Sequence, residues 1–199
     1  MKPSRNIPRF TYQDRKINSH LTEIMGEQLE EPKFETLAVY DGFEVRKYSP
    51  NIQAKVESIK SGDIARSVAF RRIANYIFGS NESNQKIAMT APVQMWEEGG
   101  IEKMSFVMPS EYNLEDLPSP NDAGVSISAS QKEIVAALTF KGFSRPGKVR
   151  KLSNKLQSLL KNQGYLQTGP MRLAVYDPPT TIPFFRRNEI LIPVKQEQL

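Results

Sequence analysis

FEVRKYSPNIQAKVESI, residues 43–59, is the segment on which the reading of the fold turns. Phe43-Glu44-Val45-Arg46-Lys47-Tyr48 alternates apolar with polar residues, the period of a strand with one buried face. Ser49-Pro50-Asn51 supplies turn chemistry, and Ile52, Ala54 and Val56 then alternate with Gln53, Lys55 and Glu57. After Gly62 the period changes. Over residues 63–79, Ile64, Val68, Ile73 and Ile77, with Ala65, Ala69 and Ala74, predict the apolar side of a helix. Asp63 is expected to cap that helix and Gly79 to end it. Upstream, residues 36–40 and the Asp41-Gly42 pair predict an added edge strand joined by a tight hairpin.

Downstream, residues 87–96 read as a strand that Pro92, lacking an N–H, must interrupt or bulge. Glu97-Glu98-Gly99-Gly100 is a hairpin turn, and residues 103–108 return beside it. A connector, residues 109–122, holds Pro118-Ser119-Pro120 and a short expected turn at 113–117. The same order then recurs. Strands are predicted at 125–128 and 134–140, then a helix with Ser144 as cap and Pro146 in its first turn, where a missing N–H is harmless. Val149, Leu152, Leu156, Leu159 and Leu160 form its apolar stripe, Lys148, Lys151 and Lys155 its opposite side, and Gly164 its end. Strands at 171–176 and 188–194 flank a proline-rich loop.

Neither half can cover its own apolar face, so the two are expected to pair. The predicted fold is α+β: two pseudo-symmetric βαββ repeats, about residues 43–109 and 124–194, forming a distorted antiparallel β-barrel or sheet flanked by two helices. Residues 1–33 are read as a partly disordered N-terminal arm and residues 34–196 as one domain. The joint between such halves is a place for a small-ligand cleft.

Composition narrows the chemistry. A hydrophobic share of 39% with 25% charged residues belongs to a globular chain. There is no cysteine, which excludes disulfides, thiolate metal sites and cysteine nucleophiles. The net charge of +5 suits an anionic ligand without demanding one. No apolar run approaches the roughly 20 residues of a membrane span, so no integral membrane association is expected. The arm lacks the apolar core of a secretory signal, and its early basic residues are only faintly like an organellar transit peptide. The expected location is cytoplasmic, with an organelle such as a plastid as the alternative if the arm is a targeting remnant. No P-loop, Gly-rich dinucleotide turn, HExxH or serine triad is present.

Several segments resemble the SOUL haem-binding family. They are residues 43–48, the helix end Ile73-Ala74-Asn75-Tyr76-Ile77-Phe78-Gly79-Ser80-Asn81, Lys86-Ile87-Ala88-Met89-Thr90-Ala91-Pro92-Val93, Tyr176-Asp177-Pro178-Pro179 and Arg186-Arg187-Asn188-Glu189. The likeness runs in order from about residue 35 to 194. It implies a distorted antiparallel barrel with two helices and non-covalent binding of haem or another tetrapyrrole as the cofactor. Some multidrug-sensing regulators share that architecture and bind unrelated molecules, so fold alone does not name the ligand.

The family's flat hydrophobic surface involves the first helix and the loop before the last strand. Carried over, it implies a cofactor-binding set of Phe70, Arg71, Ala74 and Ile77 from the helix and Ile182, Pro183, Phe184 and Arg186 from the loop, beside Phe185. Basic positions that meet propionates in relatives stand here as Ser67, Asn75 and Thr181. Arg186 or Arg187 is also read structurally, as a guanidinium able to hold Glu189 or nearby carbonyls. Where relatives have a proposed axial histidine, just before the first-strand tyrosine, this chain has Lys47. His20, the only histidine, falls in the arm, and Met89, Met108, Tyr48 and Tyr76 read as core before they read as iron ligands.

The expectation is a carrier or buffer that binds a tetrapyrrole in a shallow apolar pocket, with no catalytic residues and no metal site of its own. The alternatives are a small-molecule sensor or effector domain and a tetrapyrrole-modifying enzyme. Nucleic acid is not an expected partner, because the Lys148, Lys151 and Lys155 face lacks interleaved exposed aromatics.

Overall fold

The period-two segments pair into one antiparallel sheet, and the two amphipathic helices cover one of its faces. The structure, a computed structural model, describes residues 29–59 and 62–197. Among them the first half runs β1 (Phe34–Tyr40), β2 (Phe43–Tyr48), β3 (Ile52–Ser58), α1 (Asp63–Ile77), β4 (Val93–Glu98) and β5 (Ile101–Val107). The second half runs β6 (Val125–Ala129), β7 (Glu133–Lys141), α2 (Pro146–Asn162), β8 (Tyr165–Gln167), β9 (Arg172–Val175) and β10 (Arg187–Gln196).

The strand order is β1-β2-β7-β10-β9-β4-β5-β3-β6, with β8 paired to the end of β10. Within it, β2-β7-β10-β9 mirrors β6-β3-β5-β4 strand for strand, as a pseudo-two-fold axis between β9 and β4 requires. Each repeat therefore lends its first strand to the other: β2 pairs with β7, and β6 with β3. The sheet is open, with β1 and β6 at its edges, so the expected barrel-or-sheet resolves as an open sheet. Hairpins β1–β2 and β4–β5 turn through Gly42 and Gly99-Gly100, all at positive φ, a conformation in which glycine alone bears no Cβ penalty.

On the helix face, Ile73, Tyr76 and Ile77 of α1 pack on Ala54, Val56, Met104 and Phe106. Leu156 and Leu160 of α2 pack on Val45, Ala136, Leu138, Ile190 and Ile192. The alternate residues of the same strands, Val135, Ala137, Ala174 and Leu191, form a small cluster on the helix-free face.

Four local expectations change. Gly62, not Asp63, is the N-cap of α1, and Ile64 and Val68 are exposed, because the helix meets the sheet only from Ala69 onward. Arg145 rather than Ser144 precedes α2, with Pro146 at the first helical position as expected. Residues 87–92 are irregular but for a single bridge residue, Thr90, and β4 starts after Pro92, which has no N–H to give a ladder. β8 was not anticipated, since three residues are too few to carry a period.

Residues 29–33 belong to the domain, ahead of the expected boundary at 34: Leu29 packs on the α1 core, and the Ala91 N–H donates to the Glu30 carbonyl at 2.9 Å. The rest of the expected arm, with His20, lies outside the described residues. Among the described residues no helix is long and apolar enough to cross a membrane.

Phe106 is fully enclosed, with its ring 5.5 Å from that of Phe70. Phe106→Ala is expected to cost about 3–5 kcal/mol in chemical denaturation. Ile64→Ala, at a residue standing clear of the sheet, should stay within about 0.5 kcal/mol of the parent.

Candidate ligand-binding surfaces

The loop before β10 folds back on the end of β7. The Gly142 N–H donates to the Arg186 carbonyl at 3.0 Å, which brings Phe143 beside the short 3₁₀ turn Pro183–Phe185. Apolar side chains stand outward here: Phe143 is 46% exposed, Ile182 60%, Phe184 84% and Phe185 69%. Two guanidiniums lie over the Phe143 ring, Arg145 at 5.4 Å and Arg186 at 5.1 Å. Arg186 also donates to the Thr181 carbonyl at 2.8 Å and to the Pro179 carbonyl, so it holds the loop as well as charging it. Lys148 closes the cationic border, with its Nζ 4.9 Å over the Phe140 ring and donating to the Lys141 carbonyl. Phe143 and Arg145 escaped the sequence reading. Their signal was proximity to a loop more than thirty residues away, which no local pattern carries.

The helix members of the expected set fare differently. Ala74 and Ile77 are enclosed in the α1 core and present nothing outward, because they fall on the sheet-facing side of the helix. Phe70 is half-buried against Phe106, and Arg71 is exposed on the helix. α1 rests on β3, β5 and β6, whereas the 183–185 turn rests on β7, in the other half of the sheet. Ser67 donates to the Asp63 carbonyl within α1. Thr181 gives its carbonyl to Arg186.

On the helix-free face an ionic cluster crosses β2, β7, β9 and β10. Arg46, 5% exposed, grips the Glu189 carboxylate with two N–H groups at 2.8 and 2.9 Å. The Tyr176 hydroxyl donates to Glu189 at 2.7 Å and the Thr139 hydroxyl at 3.0 Å. Arg46 also donates to Glu44 and to the Tyr48 hydroxyl. Burial alone would raise the Glu189 carboxyl, but the Arg46 contact and the two hydroxyl donors outweigh it and hold the group below its ordinary value. Burial pushes the Tyr48 phenol up. The expected partners of Glu189 are engaged elsewhere: Arg187 pairs with Glu31 and stacks on Tyr176.

Beside this cluster, around the β4–β9 joint, lies a cleft of about 420 Å³. Its walls are Tyr48, Asn51, Gln53, Lys55, Gln94, Trp96, Arg172 and the turn at residues 129–133, with Pro32 at the edge. Gln53 and Lys55 among these read in the sequence as polar alternates of a half-buried strand. Only the closing of the two halves makes the surface concave.

The residues weighed as iron ligands and read first as core are mostly internal. Met89 and Met108 are buried in the α1 core, the Tyr76 hydroxyl donates to the Pro118 carbonyl, and Tyr48 accepts from Arg46. Lys47 pairs with Glu35 at the surface. Among the described residues no group of three or more histidine, cysteine or acidic residues is placed to hold a metal.

The scaffold is a duplicated α+β sheet with one helix-covered face and one polar face that holds the cleft. The family model described as SOUL heme-binding protein matches residues 29–193, and the chain belongs to this family. It is 31% identical over 165 residues to heme-binding protein 2 of Homo sapiens, covering 78% of this chain and 79% of that protein. It is 27% identical to heme-binding protein 1 of Bos taurus, covering 66% and 71%. Among solved structures, the EcmrR C-terminal domain superposes with a TM-score of 0.60 at 13% identity, covering 77% of this chain and 97% of that one. A hydrolase from Listeria innocua superposes at 0.58 and 10% identity, covering 80% and 94%. These two share the fold alone.

Removing one partner of the Arg46–Glu189 pair strands a buried charge, so Glu189→Ala should cost about 3–5 kcal/mol. With the folded carboxyl held below its unfolded value near 4.5, its ionic stabilisation is present above that pH and is lost as pH falls through the folded value. The Tm gap between parent and Glu189→Gln should therefore narrow below pH 4.5 in thermal melts.

Proposed function

We propose that the protein binds haem or a related tetrapyrrole non-covalently on the surface formed by Phe143, Ile182, Phe184 and Phe185, and that it carries or buffers the ligand without reacting on it. The observation that supports this reading is the company these side chains keep. Large apolar groups stand exposed where Arg145, Lys148 and Arg186 border them. A flat macrocycle with two carboxylates needs that combination: apolar contact for the ring, and cations at the rim for the propionates. Contiguous exposed apolar surface rimmed by polar groups marks an interaction site in a globular protein. The names of its relatives in humans and cattle, both heme-binding proteins, point the same way.

The ring is held by contact and charge, and iron adds little, since Met89, Met108 and Tyr76 are enclosed and Tyr48 stands on the far face from the loop aromatics. Free haem and metal-free protoporphyrin should accordingly bind with similar affinity, and His20→Ala should change neither. A Phe184→Ser/Phe185→Ser double variant should lose about tenfold or more in affinity, from two aromatic contacts at roughly 1 kcal/mol each. An absorbance titration of the Soret band measures both. A strict demand for iron, or a double variant that binds like the parent, would contradict the proposal.

A further inference from the structure

We infer that the cleft at the β4–β9 joint is a second binding site, for a small planar organic acid, separate from the tetrapyrrole surface. Its volume of about 420 Å³ falls within the range of small-molecule pockets. Its charge sets the sign of the ligand. Three cations line it, Lys55, Lys132 and Arg172, against one carboxylate, Glu133, which Arg172 already holds. Lys55 and Lys132 have no ion-pair partner among the described residues. The neighbouring buried carboxylate, Glu189, is satisfied by Arg46, Tyr176 and Thr139, and so offers nothing to a cation.

The Arg172 Nε is buried without a hydrogen-bond partner, the single such side-chain atom among the described residues. Enclosed as it is, that atom is out of direct reach of a ligand, and the Lys55 and Lys132 ammoniums are what a carboxylate in the cleft would meet. The remaining walls suit an unsaturated body. Trp96 and Tyr48 provide aromatic surface, and the Gln53 and Gln94 carboxamides provide directional polar contact.

The site sits on the helix-free face, lined from β3, β4 and β9, while the exposed aromatics lie at the end of β7 and the loop before β10. The two sites can therefore fail independently, and the inference does not rest on the tetrapyrrole reading.

Trp96 is the chain's one tryptophan, so its fluorescence reports on the cleft directly. The probes are 4-nitrobenzoate, 4-nitrobenzyl alcohol and 4-nitrobenzylammonium, three contact quenchers of similar shape and different charge. Saturable quenching is expected for the anion, at about tenfold lower concentration than for the other two, the effect of a few partly screened cations. In Lys55→Gln/Lys132→Gln that advantage should fall by about tenfold with Tm unchanged. Metal-free protoporphyrin should bind this variant as it binds the parent. Equal, non-saturating quenching by all three probes overturns the proposal. So does preference for the ammonium, or an anion affinity indifferent to the lysines. A parallel loss of protoporphyrin affinity in the variant would merge the two sites and overturn their separateness.

Discussion

The exchange of first strands between the two repeats is the constraint from which the rest follows. Because β2 completes the half-sheet of β7, and β6 that of β3, neither repeat has a finished hydrogen-bonded sheet without the other. Non-local pairing also fixes which face of each strand is buried, since a one-residue slip would turn Val45 outward and Arg46 into the α2 core. With the register set, most large apolar alternates meet the helices, and the polar alternates gather on the other face around the small Val135, Ala137, Ala174 and Leu191 cluster.

The cleft lies on that polar face. A sheet face carrying Glu44, Arg46, Tyr48, Gln53, Lys55, Gln94, Arg172 and Glu189 cannot be covered by a helix without stranding charge. It stays open and concave, and its deepest carboxylate is neutralised by the long-range Arg46 contact. A buried pair of this kind specifies an arrangement more than it adds net stability, because desolvation offsets much of the attraction. Its consequence for binding is the sign of the charge left over. Cations remain unpaired in the cleft, and guanidiniums border the exposed aromatics near Phe143. Both surfaces thus favour anions, in keeping with a chain of net charge +5.

Alternation in residues 43–59 and the repeated element order made the sheet, the helices and their duplication legible. Features set by distant partners were not. A helical wheel cannot tell where a helix overhangs its sheet, so Ile64 and Val68 were expected in the apolar stripe, while Tyr76, which is fully enclosed, was left out of it. Arg186 holds the Thr181 and Pro179 carbonyls, one of the two local roles expected of the Arg186-Arg187 pair, but the partner of Glu189 stands 143 residues away on β2. The loop aromatics at 184 and 185 entered through the resemblance to SOUL proteins, not through any local period. Phe143 was missed because its exposure depends on the loop that folds beside it.

The most direct test of the tetrapyrrole surface is to map it by amide chemical shifts on adding metal-free protoporphyrin to the isotopically labelled protein. The account predicts perturbations centred on residues 142–148 and 181–187, with the amides of Gln53, Gln94 and Trp96 undisturbed. Perturbations centred on the cleft, or on α1 around Phe70 and Arg71, with the 181–187 loop silent, would contradict it.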